Sequence, residues 1–185
     1  MRTRRASQTR GFTLVELMAV VVIAGVLATL AVYGVRKYIY TAKTSEAIHM
    51  LNSIAAAEEA YKDETGRYLT ASSGVNSYYP QTDLTPSRTK WAWPNPGHVD
   101  AARWALLGVT SHEPVQFGYV AIAGTAGQAI PALGTRQDFT ALATPGHWVA
   151  LKAAGDQDGD GIYSYFVMAR GEGISSAIHK EDEEE

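Results

Sequence analysis

The 185-residue chain contains no cysteine. Disulfides, iron–sulfur clusters and thiolate zinc sites are therefore excluded, and packing, hydrogen bonds or a bound ion must hold the fold together. A general excess of basic residues is also missing, with 16 Lys and Arg against 19 Asp and Glu. That leaves no electrostatic footprint for nucleic acid, and no nucleic-acid partner is expected. The five histidines, His49, His98, His112, His147 and His179, are scattered and form no H-x-x-x-H pair. Neither a nucleophile elbow nor a Gly-rich phosphate loop occurs, so an enzyme is not expected. Glu58-Glu59 reads as a solvated helix face rather than an acid–base pair.

What the chain does have is concentrated near its start. Leu17 to Val35 carries no charge, and its only polar side chains are Thr29 and Tyr33. Counted from Phe12 the segment has 24 residues, about 36 Å of helix at ~1.5 Å per residue, enough to cross roughly 30 Å of hydrocarbon. Arg2, Arg4, Arg5 and Arg10 precede it with no acid among them, which places the N-terminus in the cytoplasm. Arg36 and Lys37 beyond the helix weaken that asymmetry. A secretory signal peptide has the same outline, with small residues near Ala28 and Ala31. Against it stand the length of the run and Glu16 within its first turns. A carboxylate at membrane depth costs roughly 2.5–3.5 kcal/mol on insertion scales, and a signal peptide has no use for it.

The string Arg10-Gly11-Phe12-Thr13-Leu14-Val15-Glu16-Leu17 resembles the leader junction of type IV pilins and pseudopilins. The resemblance implies a leader at residues 1–11, cut between Gly11 and Phe12 by a prepilin peptidase that also N-methylates Phe12. Residues 12–35 would then form the transmembrane and assembly helix, with Glu16 at the family's acidic position. The cut leaves a positive amine as costly in lipid as Glu16; if one subunit's amine meets its neighbour's carboxylate, each offsets the other's desolvation. Many major pilins kink this helix with a proline where the present chain has Tyr33. Gly25 and Gly34 remain as weak points, each about 1 kcal/mol poorer than alanine in a helix.

Beyond Val35 the pattern turns amphipathic. Ile39, Ala47, Ile48, Leu51, Ile54, Ala55 and Tyr61 recur at three- and four-residue steps, with Lys43, Glu46, Asn52, Glu58, Glu59 and Lys62 around them. Thr65-Gly66 supplies the stop, so one helix of about 50 residues is expected. Leu69 to Glu113 is rich in Ser, Thr, Pro and Gly, yet carries Tyr78, Tyr79, Trp91, Trp93 and Trp104. These aromatics either pin an irregular loop to the sheet or form an exposed contact surface. Ala101 to Leu107 is expected to form a short helix. Val115–Ala123, His147–Ala153 and Ile162–Ala169 read as strands, with Gln128–Pro145 a Gly- and Pro-punctuated loop. The expected class is α+β and type IV pilin-like: a long N-terminal helix, hydrophobic then amphipathic, packed on a small antiparallel sheet. Residues 36–185 make up its extracytoplasmic globular domain, with a disordered acidic tail at 179–185.

Asp156-Gln157-Asp158-Gly159-Asp160-Gly161 joins the last two of these strands. The D-x-D-x-D-G spacing resembles the start of an EF-hand, but Val167 stands where the bidentate Glu would be, and strand follows. Two readings stay open: a hairpin turn using its glycines for positive φ, or a calcium site of Asp156, Asp158 and Asp160 with backbone carbonyls.

The resemblance implies a structural subunit of a type IV pilus-like filament serving adhesion, motility or DNA uptake. Its partners would be other copies or related pilins, the prepilin peptidase, an inner-membrane assembly platform and, before assembly, membrane lipid. The alternative is a pseudopilin of a type II secretion system. A membrane-anchored binding domain explains the helix but leaves Glu16 and the Gly11-Phe12 junction without a role.

Overall fold

A computed structural model describes residues 11–83 and 85–182. The expected leader arginines Arg2, Arg4, Arg5 and Arg10, and Glu183 to Glu185, lie outside the described residues. The chain divides into two units, Met1–Ile39 and Tyr40–Glu185. Helix α1 covers Leu14–Thr65, 52 residues. In the first unit its large apolar side chains from Leu14 to Ile39 are all exposed, because a helix apolar on every side has no polar face to turn outward.

In the second unit the amphipathic stripe takes over. Thr44, Ala47, Met50, Leu51, Ile54, Ala55 and Glu58 are buried, at three- and four-residue steps. Gly66 ends the helix with φ +79° and its N–H 2.7 Å from the Lys62 carbonyl, the left-handed stop the sequence predicts.

The sheet is antiparallel, with strands β1 (Gly118–Gly124), β2 (Trp148–Gly155), β3 (Ser164–Gly171), β4 (Ile174–Ser175) and β5 (His179–Glu181). β1, β2 and β3 pair in that order, and β3 also pairs with β4 and β5. Leu151 is opposite Ala121 on one side and Met168 on the other. Side chains alternate across the sheet. Phe117, Tyr119, Ala121, Val149, Leu151, Ala153, Phe166 and Met168 join the α1 stripe in one core. Trp148, Ala150, Val167 and Ala169 pack on the other face against Ile130, Leu133 and Phe139 of the long β1–β2 connection. With both faces covered, every residue of β2 is buried.

The free edge of β1 is covered by an irregular segment: Tyr79 and Tyr119 exchange backbone bonds of 2.9 and 2.7 Å, and Ser72 N–H donates to the Ala121 carbonyl. The loop aromatics act as anchors. Tyr78, Tyr79, Trp93 and Trp104 are buried, Tyr79 stacking on Trp104 at 5.1 Å and meeting Trp93 edge-on at 4.7 Å. The expected short helix is present as α2 (Ala101–Trp104) and a 3-10 turn (Ala105–Leu107).

Three expectations need correction. Glu58 is wholly buried rather than solvated, because the chain folds back after Gly66 and the Leu69 N–H donates to its carboxyl at 2.8 Å. The strands sit one to three residues later than expected, since Val115 instead bridges to Trp91. The first three residues of the tail expected to be disordered at 179–185 form β5, whose Glu181 accepts the N–H groups of Arg136 and Gln137 at 2.8 and 2.7 Å.

Candidate functional site

Gly11, Phe12 and Thr13 lead into α1, with the Phe12 side chain exposed. Thr13 caps the helix reciprocally with Glu16. Its N–H and its hydroxyl both donate to Glu16 Oε2 at 2.8 Å, and the Glu16 N–H donates to Thr13 Oγ1 at 3.2 Å. This is a capping box, in which two otherwise orphaned N–H groups at a helix start are satisfied. The acid at this position is thus held by its own chain. Among the described residues no ion pair includes it. By length and composition α1 contains a segment able to cross a membrane, and none of that window is buried.

The acidic loop joins β2 to β3, and Gly159 and Gly161 take φ values of +87° and +89°, the turn geometry that only glycine adopts freely. Asp156 is buried and organises the loop: Oδ1 accepts the Gly159 N–H at 2.6 Å, and Oδ2 that of Gly161 at 3.3 Å. Asp158 accepts the Asp160 N–H, and Asp160 that of Ile162. One carboxylate oxygen from each of the three aspartates lies within 4.8 Å of the others. Ligands about 2.4 Å from one calcium ion lie at most about 4.8 Å apart, so this all-oxygen donor set fits such an ion. Cations flank the loop as well. The Lys43 ammonium donates to the Gln157 carbonyl at 2.6 Å; burial, then Arg88 and Lys90, lower its pKa.

The histidines do not converge on a reactive group. His98 Nδ1 accepts the Asp100 N–H at 3.0 Å. Asp100, wholly buried, accepts from the Ser73 N–H, from the Ser73 and Ser77 hydroxyls, and from Arg103. Both serines donate to a carboxylate rather than to an imidazole, so neither is set up as a nucleophile. Burial raises the Asp100 carboxyl, but bonds from Ser77 and Ser73 and the Arg103 charge outweigh it and hold it below the usual range. The residue pattern put Glu58 on a solvated face and gave no sign of Lys152, yet both are buried. Burial pushes Glu58 up to about 8 and Lys152 down to about 8.

Residues 7–32 match the family described as Prokaryotic N-terminal methylation motif. The type II secretion system core protein G of Klebsiella michiganensis is 31% identical over 96 residues, 52% of this chain and 66% of that protein. The corresponding protein of Pseudomonas aeruginosa is 36% identical over 84 residues, 45% of this chain and 59% of that protein. The type IV major pilin protein PilA of Myxococcus xanthus is 41% identical over 69 residues, 37% of this chain and 31% of that protein. The chain thus covers less than two thirds of the length of these relatives. No solved structure gives a significant match. The chain carries the prokaryotic N-terminal methylation motif and is homologous to type II secretion core protein G and to type IV major pilins.

Proposed function

We propose that this chain is a structural subunit of a type IV pilus-like filament, polymerised through α1. The observation that carries the reading is an apolar helix exposed on every side that begins with a capped acid, Glu16. Such a surface is stable only in lipid or against other helices of its kind. In this reading a prepilin peptidase removes residues 1–11, leaving N-methylated Phe12 as the first residue. Before assembly residues 12–35 span the inner membrane with the N-terminus cytoplasmic, and an assembly platform extracts them into the filament. Glu16 then exchanges its Thr13 cap for the amine of a neighbouring subunit, a pairing that fixes axial register because each charge is costly alone in an apolar surrounding.

The second reading, a pseudopilin of a type II secretion system, is favoured by the similarity to core protein G. Deleting the gene and imaging the cells separates the two. Loss of surface fibres and of the movement they drive supports the pilus; loss of secreted proteins with fibres intact supports the pseudopilus.

Asp156, Asp158 and Asp160 would hold calcium in either machine. The ion would neutralise three crowded carboxylates and staple the β2–β3 connection of a chain that has no disulfide.

A further inference from the structure

Glu58 lies apart from the Thr13–Glu16 helix start and from the acidic loop, and it is the one carboxylate on α1 that is wholly buried. Oε2 accepts the Leu69 N–H at 2.8 Å, whereas Oε1 is buried with no hydrogen-bond partner. A single donor cannot replace the hydration of an ionised carboxylate. The segment it holds follows the end of α1. Tyr68 donates to Glu59 at 2.8 Å, Lys62 lies over the Tyr68 ring at 4.9 Å, and Thr70 and Ser72 bond the exposed edge of β1. Arg67, Tyr68, Leu69 and Thr70 also form one wall of a cleft of about 330 Å³, faced by Tyr61 and His147.

We propose that Glu58 is a proton-operated latch: its neutral carboxyl pins the Arg67–Thr70 segment to α1, and loss of the proton frees that segment and opens the cleft wall. The charged surroundings support this assignment. Glu59, next on α1, adds a like charge that disfavours ionisation of Glu58. Lys62 is engaged with Tyr68, Arg67 is exposed, and Glu172 acts on Tyr68. Among the described residues no cation is paired with Glu58 in the closed segment.

The direction with pH follows. The closed carboxyl titrates at about 8 against an ordinary value of 4.5, so closure is firmest in acid, loosens as pH rises between those values, and levels off above the higher one. The test is amide exchange on the full chain in detergent micelles, each rate normalised to its intrinsic value. Leu69 protection should fall on the order of a hundredfold between about pH 5 and pH 8, while remaining nearly flat in Glu58→Gln. Equal slopes in both proteins, or no slope in wild type, would overturn the latch. Should the variant not fold, carboxyl-carbon NMR of wild type decides alone: a Glu58 midpoint near 8 supports the proposal, and one at an ordinary carboxylate value sinks it.

Discussion

The Thr13 hydroxyl and the Glu16 carboxylate satisfy one another at the first turn of α1, with Oε2 2.8 Å from both the Thr13 N–H and its hydroxyl. The acid is therefore not naked before assembly, and its functional charge can be separated from its capping role. Glu16→Ala removes both. Thr13→Val removes only the hydroxyl, at a cost of about 1 kcal/mol to the helix start. Glu16→Ala should be inserted and cut after Gly11 yet enter filaments poorly, whereas Thr13→Val should incorporate nearly as wild type. Intact mass and the subunit content of sheared filaments read the two steps. Equal loss in both variants would make the cap, not the charge, the requirement.

The β2–β3 loop gives a similar separation between turn and metal site. Asp156 is buried and takes two backbone N–H groups, whereas Asp160 is exposed and takes one. Without calcium, Asp156→Ala should cost on the order of 2 kcal/mol, and Asp160→Ala well under 1 kcal/mol. Calcium should raise the melting temperature of wild type and leave the triple Asp→Asn variant unchanged. An equal calcium response in both proteins removes the site and leaves a hairpin held by Asp156 alone.

Much of this architecture was legible because its determinants are local. The α1 stripe is a matter of spacing, and the stop at Gly66 follows from a single residue that tolerates positive φ. The buried charges were not legible. Glu58 lies among Glu59 and Lys62 on what reads as a polar arc, and only the return of Leu69 against it makes it interior. β5 was hidden because Glu181 reads as solvated until the Arg136 and Gln137 amides approach it from 45 and 44 residues away. Lys152 alternates correctly with Trp148 and Ala150, but that parity points a lysine at a face covered by a loop the sequence leaves irregular.

Asp100 organises the aromatic loop, tying Ser73, Ser77 and Arg103 to one point. Replacing it with alanine leaves buried donors unpaired and should cost on the order of 3 kcal/mol. Its carboxyl is held below the ordinary value of 3.8. The stability it provides is therefore present above that value and lost as pH falls through its lower folded value. Urea unfolding of wild type and Asp100→Ala should accordingly converge in strong acid and diverge by neutral pH. A gap independent of pH would assign the residue to packing alone.

Lys152 is the strongest case of a charge placed against its own preference. Its side chain is 1% exposed, and its ammonium donates to the Leu133 carbonyl at 2.8 Å and to Asn76 Oδ1 at 3.2 Å. The faces of Tyr78 and Tyr165 lie 4.9 and 5.9 Å away. Cation–π contacts and neutral acceptors recover only part of the hydration lost on burial, and burial lowers the amine from 10.5 to about 8. Below the folded value the ammonium is a full burden on stability. As pH rises from 8 to 10.5 the folded amine is already neutral while the unfolded chain still binds the proton, so wild type gains. Relative to Lys152→Met, wild type should gain roughly 3 kcal/mol across that window. Subtracting the two unfolding curves cancels the tyrosines, which titrate in both proteins. A difference that does not change with pH would mean that the amine stays charged in the fold and that its carbonyl and ring contacts suffice to keep it so.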